Sequence, residues 1–304
     1  MQGDALRRLG EALRASGYAF VTPTPATHAR VLGRDPARPA AGLRDVFGWN
    51  RPFDPAAVPP GMFELMEAAG VVQQDGPAWR SRVRFSTLGP NLFVHSAYPT
   101  TDPGSVFFGP DTYRFCAAVE AALADGRTVR RAVDVCSGAA PGAVTVARLR
   151  PEAEVFGADI NTHALALGDV NAALAGVAVA NVRSDLLDGL DGAFDLVVAN
   201  PPYLNDPAGR AYRHGGGAHG ESLSLRVLDA ALNRLCHGGT LVLYTGVAIV
   251  DGVDAVLGTA RTRLRGWDWS YREIDPDVFG EELEQPAYAH VDRIAAVVLT
   301  ANKS

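Results

Sequence analysis

The chain has only three cysteines in 304 residues, Cys116, Cys136 and Cys236. They are odd in number and far apart, which fits neither a disulfide framework nor a zinc site, so no metal centre is expected. No apolar run reaches the ~18 residues of a membrane span, and the opening MQGDALRRLGEALRASGYAF has no apolar signal core. A soluble, cytoplasmic protein without a membrane partner is expected. Lysine is nearly absent, Lys303 being the only one, and arginine supplies the rest of the 28 basic residues. With abundant alanine and glycine, that pattern reads as a GC-rich coding bias rather than a recognition surface. The net charge of −6 argues against broad binding to a phosphate backbone. Charge is uneven: residues 1–105 hold 11 arginines against 9 acidic residues, and residues 106–304 carry an acidic excess of 8.

What is present is ordinary for a globular core, with 47% hydrophobic residues and room for one medium domain plus a smaller one. Residues 4–16 place Leu6, Leu9, Ala12 and Leu13 on one helical face, ending at Gly17. A short helix fits TPATHARVLG, one broken by Gly48 fits AGLRDVFGWNRPFD, and a clearer one fits PPGMFELMEAAGVV. Two β-like runs follow, WRSRVRFS and NLFVHSAY, joined by the turn residues TLGP. Helices followed by a β-ribbon resemble a winged-helix unit, which binds nucleic acid in some proteins and only packs in others. No basic recognition helix is visible. Arg80, Arg82 and Arg84 alternate, and on a single strand they would share a face.

From about residue 106 strands alternate with helices. RAVDVCSG, AEVFGADI, VANVRSDLL, FDLVVANPP and GTLVLYTG read as strands, separated in part by AVTVARLR, NTHALALGDVNAALAG and ESLSLRVLDAALNRL as helices. Apolar strands alternating with helices call for a parallel sheet covered on both faces. GWDWSYREI and RIAAVVLTA lack an intervening helix, so an antiparallel pair is expected at one edge.

Ligands of such sheets sit at the carboxyl ends of the strands. The first strand ends in Asp134-Val135-Cys136-Ser137-Gly138-Ala139-Ala140-Pro141-Gly142, without the G-x-G-x-x-G spacing that cradles a pyrophosphate. A carboxylate beside the loop suits a cationic portion of a ligand. The second strand ends at Asp159, where a carboxylate can accept both hydroxyls of a ribose. The third ends Ser184-Asp185-Leu186, with a carboxylate able to accept an amino hydrogen of adenine. Each aspartate alone is equally a solvated strand end or an N-cap.

The fourth strand stops on Asn200-Pro201-Pro202-Tyr203. Residues before proline are held extended, and proline donates no N–H, so the carbonyls here are free to accept. The Asn200 side-chain oxygen and the next carbonyl can grip both hydrogens of a planar –NH₂ group, with Tyr203 against its conjugated plane. Such a nitrogen is a poor nucleophile until its lone pair is localised and aimed.

These motifs make residues 106–304 resemble the class I S-adenosylmethionine-dependent methyltransferases with an NPPY motif, the methyltransferase small domain group. That group includes N5-glutamine and N6-adenine methyltransferases. The resemblance implies an α/β fold, a Rossmann-like seven-stranded mixed sheet in the order 3-2-1-4-5-7-6 with strand 7 antiparallel. A small N-terminal α+β, winged-helix-like domain would precede it. It implies S-adenosylmethionine held by Asp134, Cys136, Gly138, Ala140, Asp159, Ile160, Asp185, Leu186 and Asn200, under a lid of Phe108, Asp111 and Thr112. It makes Asn200, Pro201, Pro202 and Tyr203 the catalytic group. Arg213, His214, Gly216 and Glu221 would belong to a substrate loop. Ala140 stands where the group usually has glycine, so a different path is expected for the cofactor loop. Residues 1–105 do not resemble the helical bundle of release-factor methyltransferases and are expected to be an accessory unit serving substrate recognition. A protein glutamine is the first choice of acceptor, since the acidic half disfavours a polyanion. Adenine in RNA and a small metabolite are the alternatives, so a protein or small-molecule substrate is expected before nucleic acid.

Overall fold

A computed structural model describes residues 2–303. Helices α1 (Gly3–Ala15), α2 (Pro25–Gly33) and α3 (Met62–Ala68) are followed by two hairpins, β1 (Val72–Asp75) with β2 (Ala78–Ser81), and β3 (Val83–Leu88) with β4 (Asn91–Ser96). The run WRSRVRFS is therefore two strands and not one. It breaks at Arg82, and its first part pairs back onto β1, a strand that begins just past the Gly70 helix end and has no counterpart among the expected elements. Gly48 ends a single π-turn, Arg44–Gly48, where a broken helix was expected.

Beyond residue 106 come α4 (Pro110–Ala122), β5 (Arg131–Val135), α5 (Pro141–Leu149), β6 (Glu154–Asp159), α6 (Thr162–Ala175), β7 (Ala180–Arg183) and β8 (Phe194–Ala199). The remainder is α7 (Ser222–Arg234), β9 (Leu235–Val250), the two-residue β10 (Val253–Asp254), α8 (Ala255–Arg263), β11 (Asp268–Asp275) and β12 (Arg293–Asn302). The main sheet runs β7-β6-β5-β8-β9-β12-β11, with β10 added to β9. Numbering its seven long strands along the chain reproduces the expected order 3-2-1-4-5-7-6. The first five are parallel, and β12 is antiparallel to both neighbours.

Both faces of this sheet are buried, which explains the near-continuous apolar strands. Leu196 and Val198 of β8 join a core with Val119, Val144 and Phe115 beneath α4 and α5. Their neighbours Val197 and Ala199 join the opposite core with Val227, Leu228 and Ala260 beneath α7 and α8. A third core, around Leu9, Phe47, Phe85 and Val94, continues into Leu167, Val170 and Leu174 of α6. Thus α1 packs on the outer side of α6, and Arg14 donates to the Leu174 carbonyl at 2.9 Å. Strand succession reverses beside β5, whose neighbours are β6 and β8. At the carboxyl ends of such strands a crevice opens. Among the described residues no helix is long and apolar enough to cross a membrane.

Candidate active site

The crevice is a cavity of about 550 Å³, within the size range of small-molecule sites. Asp134, Cys136, Gly138, Asp159, Ile160, Asp185, Leu186, Asp111 and Thr112 line it, together with Asn200, Pro201, Pro202 and Tyr203 and with Arg213, His214 and Gly216 of the loop. Three residues singled out from the sequence do not line it. Ala140 is fully buried at the start of α5. Phe108 is stacked on His95 at 5.1 Å, and its neighbour Phe107 reaches the cavity instead. Glu221 accepts from the backbone N–H groups of Ala218 and His219 and so braces the loop. No cluster of three or more His, Cys, Asp or Glu suited to a metal occurs among the described residues.

The turn after β5 is tightly wound. Cys136, Gly138 and Ala140 all take left-handed backbone conformations, with φ of 57°, 54° and 60°. Asp159 fixes this turn from the next strand. Its Oδ2 accepts from Gly138 N at 2.8 Å and its Oδ1 from Asn161 N at 2.8 Å. Each carboxylate oxygen keeps a second lone pair for a ligand hydroxyl. Asp134 lies deeper. Its Oδ2 accepts from Ala143 N at 2.9 Å, while Oδ1 is buried with no partner. Burial, aided by the nearby Asp159 charge, pushes Asp134 up to about 7. Burial also raises Asp159, against the backbone N–H groups that favour its ionised form. Gly142 is needed for this approach, because a Cβ there would sit 2.6 Å from the Phe115 ring and 2.7 Å from Asp134 Oδ2. The glycine that matters is therefore two residues past Ala140, in a role that only the packing of Phe115 and Asp134 reveals.

The opposite wall is built from the end of β8. Tyr203 is 7% exposed and the Cε2–Cδ2 edge of its ring lies against β9, where a Cβ on Gly246 would fall 2.3 Å from Cε2. Two residues earlier on that strand, the Tyr244 hydroxyl donates to Asp111 Oδ1 at 2.5 Å. Arg114 approaches the same oxygen at 3.4 Å and pairs with Asp275 at 2.6 Å. Burial raises Asp111, opposed by the Tyr244 hydrogen bond. The Tyr203 hydroxyl is buried without a partner, and its ionisation is pushed far up by burial, then by Asp111. Phe279 meets the Tyr203 ring edge-on at 5.9 Å. Neither Tyr244, Gly246 nor Phe279 was foreseen. The first two lie where β9, still paired with β12, runs past the end of β8.

The loop between β8 and α7 folds back on the motif. Leu204 N donates to Arg213 O at 3.1 Å, and Gly215 N to Leu204 O at 2.9 Å. Asp206 receives Arg210 at 2.5 Å and Arg213 at 3.8 Å, and Arg213 also pairs with Glu282. The Asp206–Arg210 hydrogen bond holds the Asp206 carboxyl down at about 2. His214 Nδ1 accepts from Asp206 N at 3.2 Å, which occupies that nitrogen in the loop's own structure. Asp185 pairs with Arg226 at 3.1 Å near the cavity mouth.

Among the described residues, four of the six non-glycine residues with left-handed backbone, Cys136, Ala140, Leu186 and Phe279, line or back this one cavity. Strain of that kind gathers at functional sites. Residues 119–249, from α4 through β9, match the methyltransferase small domain. The release factor glutamine methyltransferase of Deinococcus radiodurans is 35% identical over 163 residues, 50% of this chain and 55% of that protein. The ribosomal protein uL3 glutamine methyltransferase of Xanthomonas campestris pv. campestris is 35% identical over 133 residues, 40% and 43% of the two chains. The chain thus spans about half the length of the curated relatives it matches. Among solved structures, the T. Thermophilus 16S rRNA N2 G1207 methyltransferase in complex with AdoMet and guanosine aligns with a TM-score of 0.49 and 17% identity. That alignment covers 83% of this chain and 64% of the other. Within the matched small domain lie Asp134, Asp159, Asp185 and the whole Asn200–Tyr203 motif.

Proposed function

We propose that the protein transfers a methyl group from S-adenosylmethionine to a conjugated amino nitrogen, in first place the side-chain amide of a protein glutamine. The observation that carries this reading is the placement of Asn200-Pro201-Pro202-Tyr203 across one cavity from Asp134, Gly138 and Asp159. The donor set fits the cofactor. Asp134 Oδ1, buried and unpartnered, suits a cationic amino group, and the free lone pairs of Asp159 suit ribose hydroxyls. Ile160, 56% exposed at the cavity wall, suits the flat face of an adenine. When bound, the cofactor supplies an electrophilic methyl group on a sulfonium.

The chain's own residues do the rest. Asn200 accepts one amide hydrogen through its side-chain oxygen, and the next carbonyl along the chain accepts the other, which draws the nitrogen lone pair out of conjugation and aims it. Tyr203, wedged on Gly246, fixes the plane of the acceptor. The loop carrying Arg213 and Gly216 covers the acceptor and excludes water. No strong base is required, since the methylated nitrogen loses its proton readily to water. His214, engaged with Asp206, therefore acts as a structural residue.

Glutamine as acceptor draws support from the names of the relatives and from the acidic charge of residues 106–304. The arginines that would favour RNA do not form a stripe: Arg84 is buried and donates to Gly48 O at 2.9 Å. A cytoplasmic site of action goes with an acceptor in the translation apparatus. We assign residues 1–105 as an accessory, winged-helix-like unit ahead of a catalytic unit of residues 106–304. Its hairpins join no strand of the main sheet, Trp79 of β2 bridging instead to Phe53 within residues 1–105, and its core leans on α6. Incubation with tritiated-methyl S-adenosylmethionine and separated cell protein, RNA and metabolite fractions tests the proposal. Label in protein, released as methylamine on acid hydrolysis and lost in Asn200→Ala, is expected. Label confined to RNA or metabolites would overturn the choice of acceptor, and label in no fraction would overturn the activity.

A further inference from the structure

A second, smaller cleft lies between the N-terminal helices and the segment leading into α4. Thr22, His28, Arg84, His95, Tyr98 and Phe107 are among its lining residues, and its volume is about 20 Å³, enough for one water-sized atom. Phe107 lines both this cleft and the larger cavity.

Arg84 is only 5% exposed, and among the described residues its guanidinium meets no carboxylate. It donates to Gly48 O at 2.9 Å and, weakly, to Thr22 Oγ1 at 3.4 Å, and lies 5.7 Å from the Phe20 ring. The surrounding titratable groups supply no negative charge. His95 is committed to Ser86 Oγ at 2.8 Å and Ser96 O at 3.1 Å. His28 donates through Nε2 to Trp49 O at 3.0 Å, and its Nδ1 is buried without a partner. Tyr18, Tyr98 and Tyr113 complete the setting, and Arg51 adds a second positive charge near His28. Burial lowers Arg84 to about 10, which leaves it cationic at neutral pH. The same burial, then the charge of Arg84, holds His28 down at about 4. A buried cation without a counter-ion is costly to keep, and proteins that keep one provide a partner.

We propose that this cleft binds one small anionic group, a halide ion or the leading oxygen of a carboxylate, against Arg84. A cleft of about 20 Å³ takes one atom of any anion, so what disfavours sulfate and phosphate against a flat carboxylate is their tetrahedral bulk behind the entering oxygen. The proposal is independent of the methyl-transfer reading, since none of the residues invoked belongs to the Asp134–Asp159 or Asn200–Tyr203 groups.

The test follows thermal unfolding of the full chain in sodium formate and in sodium bromide, with ionic strength held constant by sodium sulfate. A saturable rise in the midpoint, roughly 2–4 °C at high occupancy, is expected with both anions. Arg84→Met keeps the aliphatic stem without the charge and is expected to melt independently of either anion. Crystals of the wild-type protein grown in bromide are expected to show an anomalous peak beside the Arg84 guanidinium, so the site stays testable if Arg84→Met does not fold. A response to formate alone, with that peak absent, would assign the cleft to carboxylates. No saturable response to either anion, or a response with the bromide peak elsewhere, would overturn the proposal and leave the cleft to water.

Discussion

Replacing Gly246 by alanine strikes the seat of Tyr203 without touching any group expected to hold the cofactor. The added Cβ would lie 2.3 Å from Tyr203 Cε2, 2.4 Å from Cδ2 and 3.2 Å from Cγ. Carbon atoms in contact rest at about 3.5–4.0 Å, so the ring must retreat by roughly 1.2 Å or more. Phe279 and Tyr244 limit that retreat, at centroid distances of 5.9 and 6.4 Å. Overpacking of this kind costs about 1–3 kcal/mol, and at about 2–4 °C per kcal/mol the melting midpoint falls measurably. A misplacement of about 1 Å at the reacting centre is worth about a hundredfold in rate. The expected outcome is methyl transfer reduced about a hundredfold with the calorimetric affinity for S-adenosylmethionine within about twofold of wild type. Gly258 in α8 is the control, because a Cβ there meets nothing within 4 Å. Gly258→Ala should gain about 0.5–1 kcal/mol of helix stability and leave transfer unchanged. Transfer at the wild-type rate in Gly246→Ala, or an equal loss of cofactor affinity, refutes the reasoning.

Three further perturbations have defined signs. Asp134 rises from 3.8 to about 7 on folding, so the native state holds its proton more tightly than the unfolded chain. Stability therefore falls as pH rises between those values, by up to about 1.4 kcal/mol per unit. In Asp134→Asn, denaturant unfolding at several pH values should show a flatter profile, with a residual slope from Asp111 and Asp159, which are raised in the same direction. An unchanged slope would exclude a protonated Asp134. Asp206→Asn removes the carboxylate that ties Arg210 and Arg213. Loss of about 2 kcal/mol of charged hydrogen bonding raises the open fraction of the loop roughly 30-fold, and trypsin should cut at these arginines correspondingly faster. Ala140→Gly relieves a left-handed residue with φ of 60° and should raise stability by up to about 1 kcal/mol in the same unfolding assay.

The main sheet was legible because its signal is local. β5, β6 and β8 are short apolar runs that stop abruptly on Asp134-Val135-Cys136, Asp159 and Asn200, and each stop marks the same sheet edge. Elements without an apolar rhythm escaped. β1 reads Val-Gln-Gln-Asp, and α8 buries only Val256 and Ala260. α4 is legible only at its opening, where Pro110-Asp111-Thr112 resembles a lid, while its buried face, including Phe115 and Val119, takes its meaning from packing. Side-chain roles fixed by tertiary contact were also out of reach. Asp111 and Tyr244 are 133 positions apart, and Tyr203 meets Gly246 only through the pairing of β8 with β9. The choice between Phe107 and Phe108 depends on His95, which stacks with Phe108 and leaves Phe107 to the cavity. Arg84 looked like one tooth of an exposed stripe, but the break at Arg82 separates it from Arg80 and turns it inward.

The central claim is that the cavity at the β5–β8 crevice holds S-adenosylmethionine. Calorimetric titration of the purified protein with S-adenosylmethionine and S-adenosylhomocysteine tests it most directly. Asp159→Ala, checked for folding by circular dichroism, serves as the comparison. The account predicts micromolar binding of both ligands by wild type and its loss in the variant. No heat of binding from a folded wild-type protein, or unchanged affinity in folded Asp159→Ala, would contradict it.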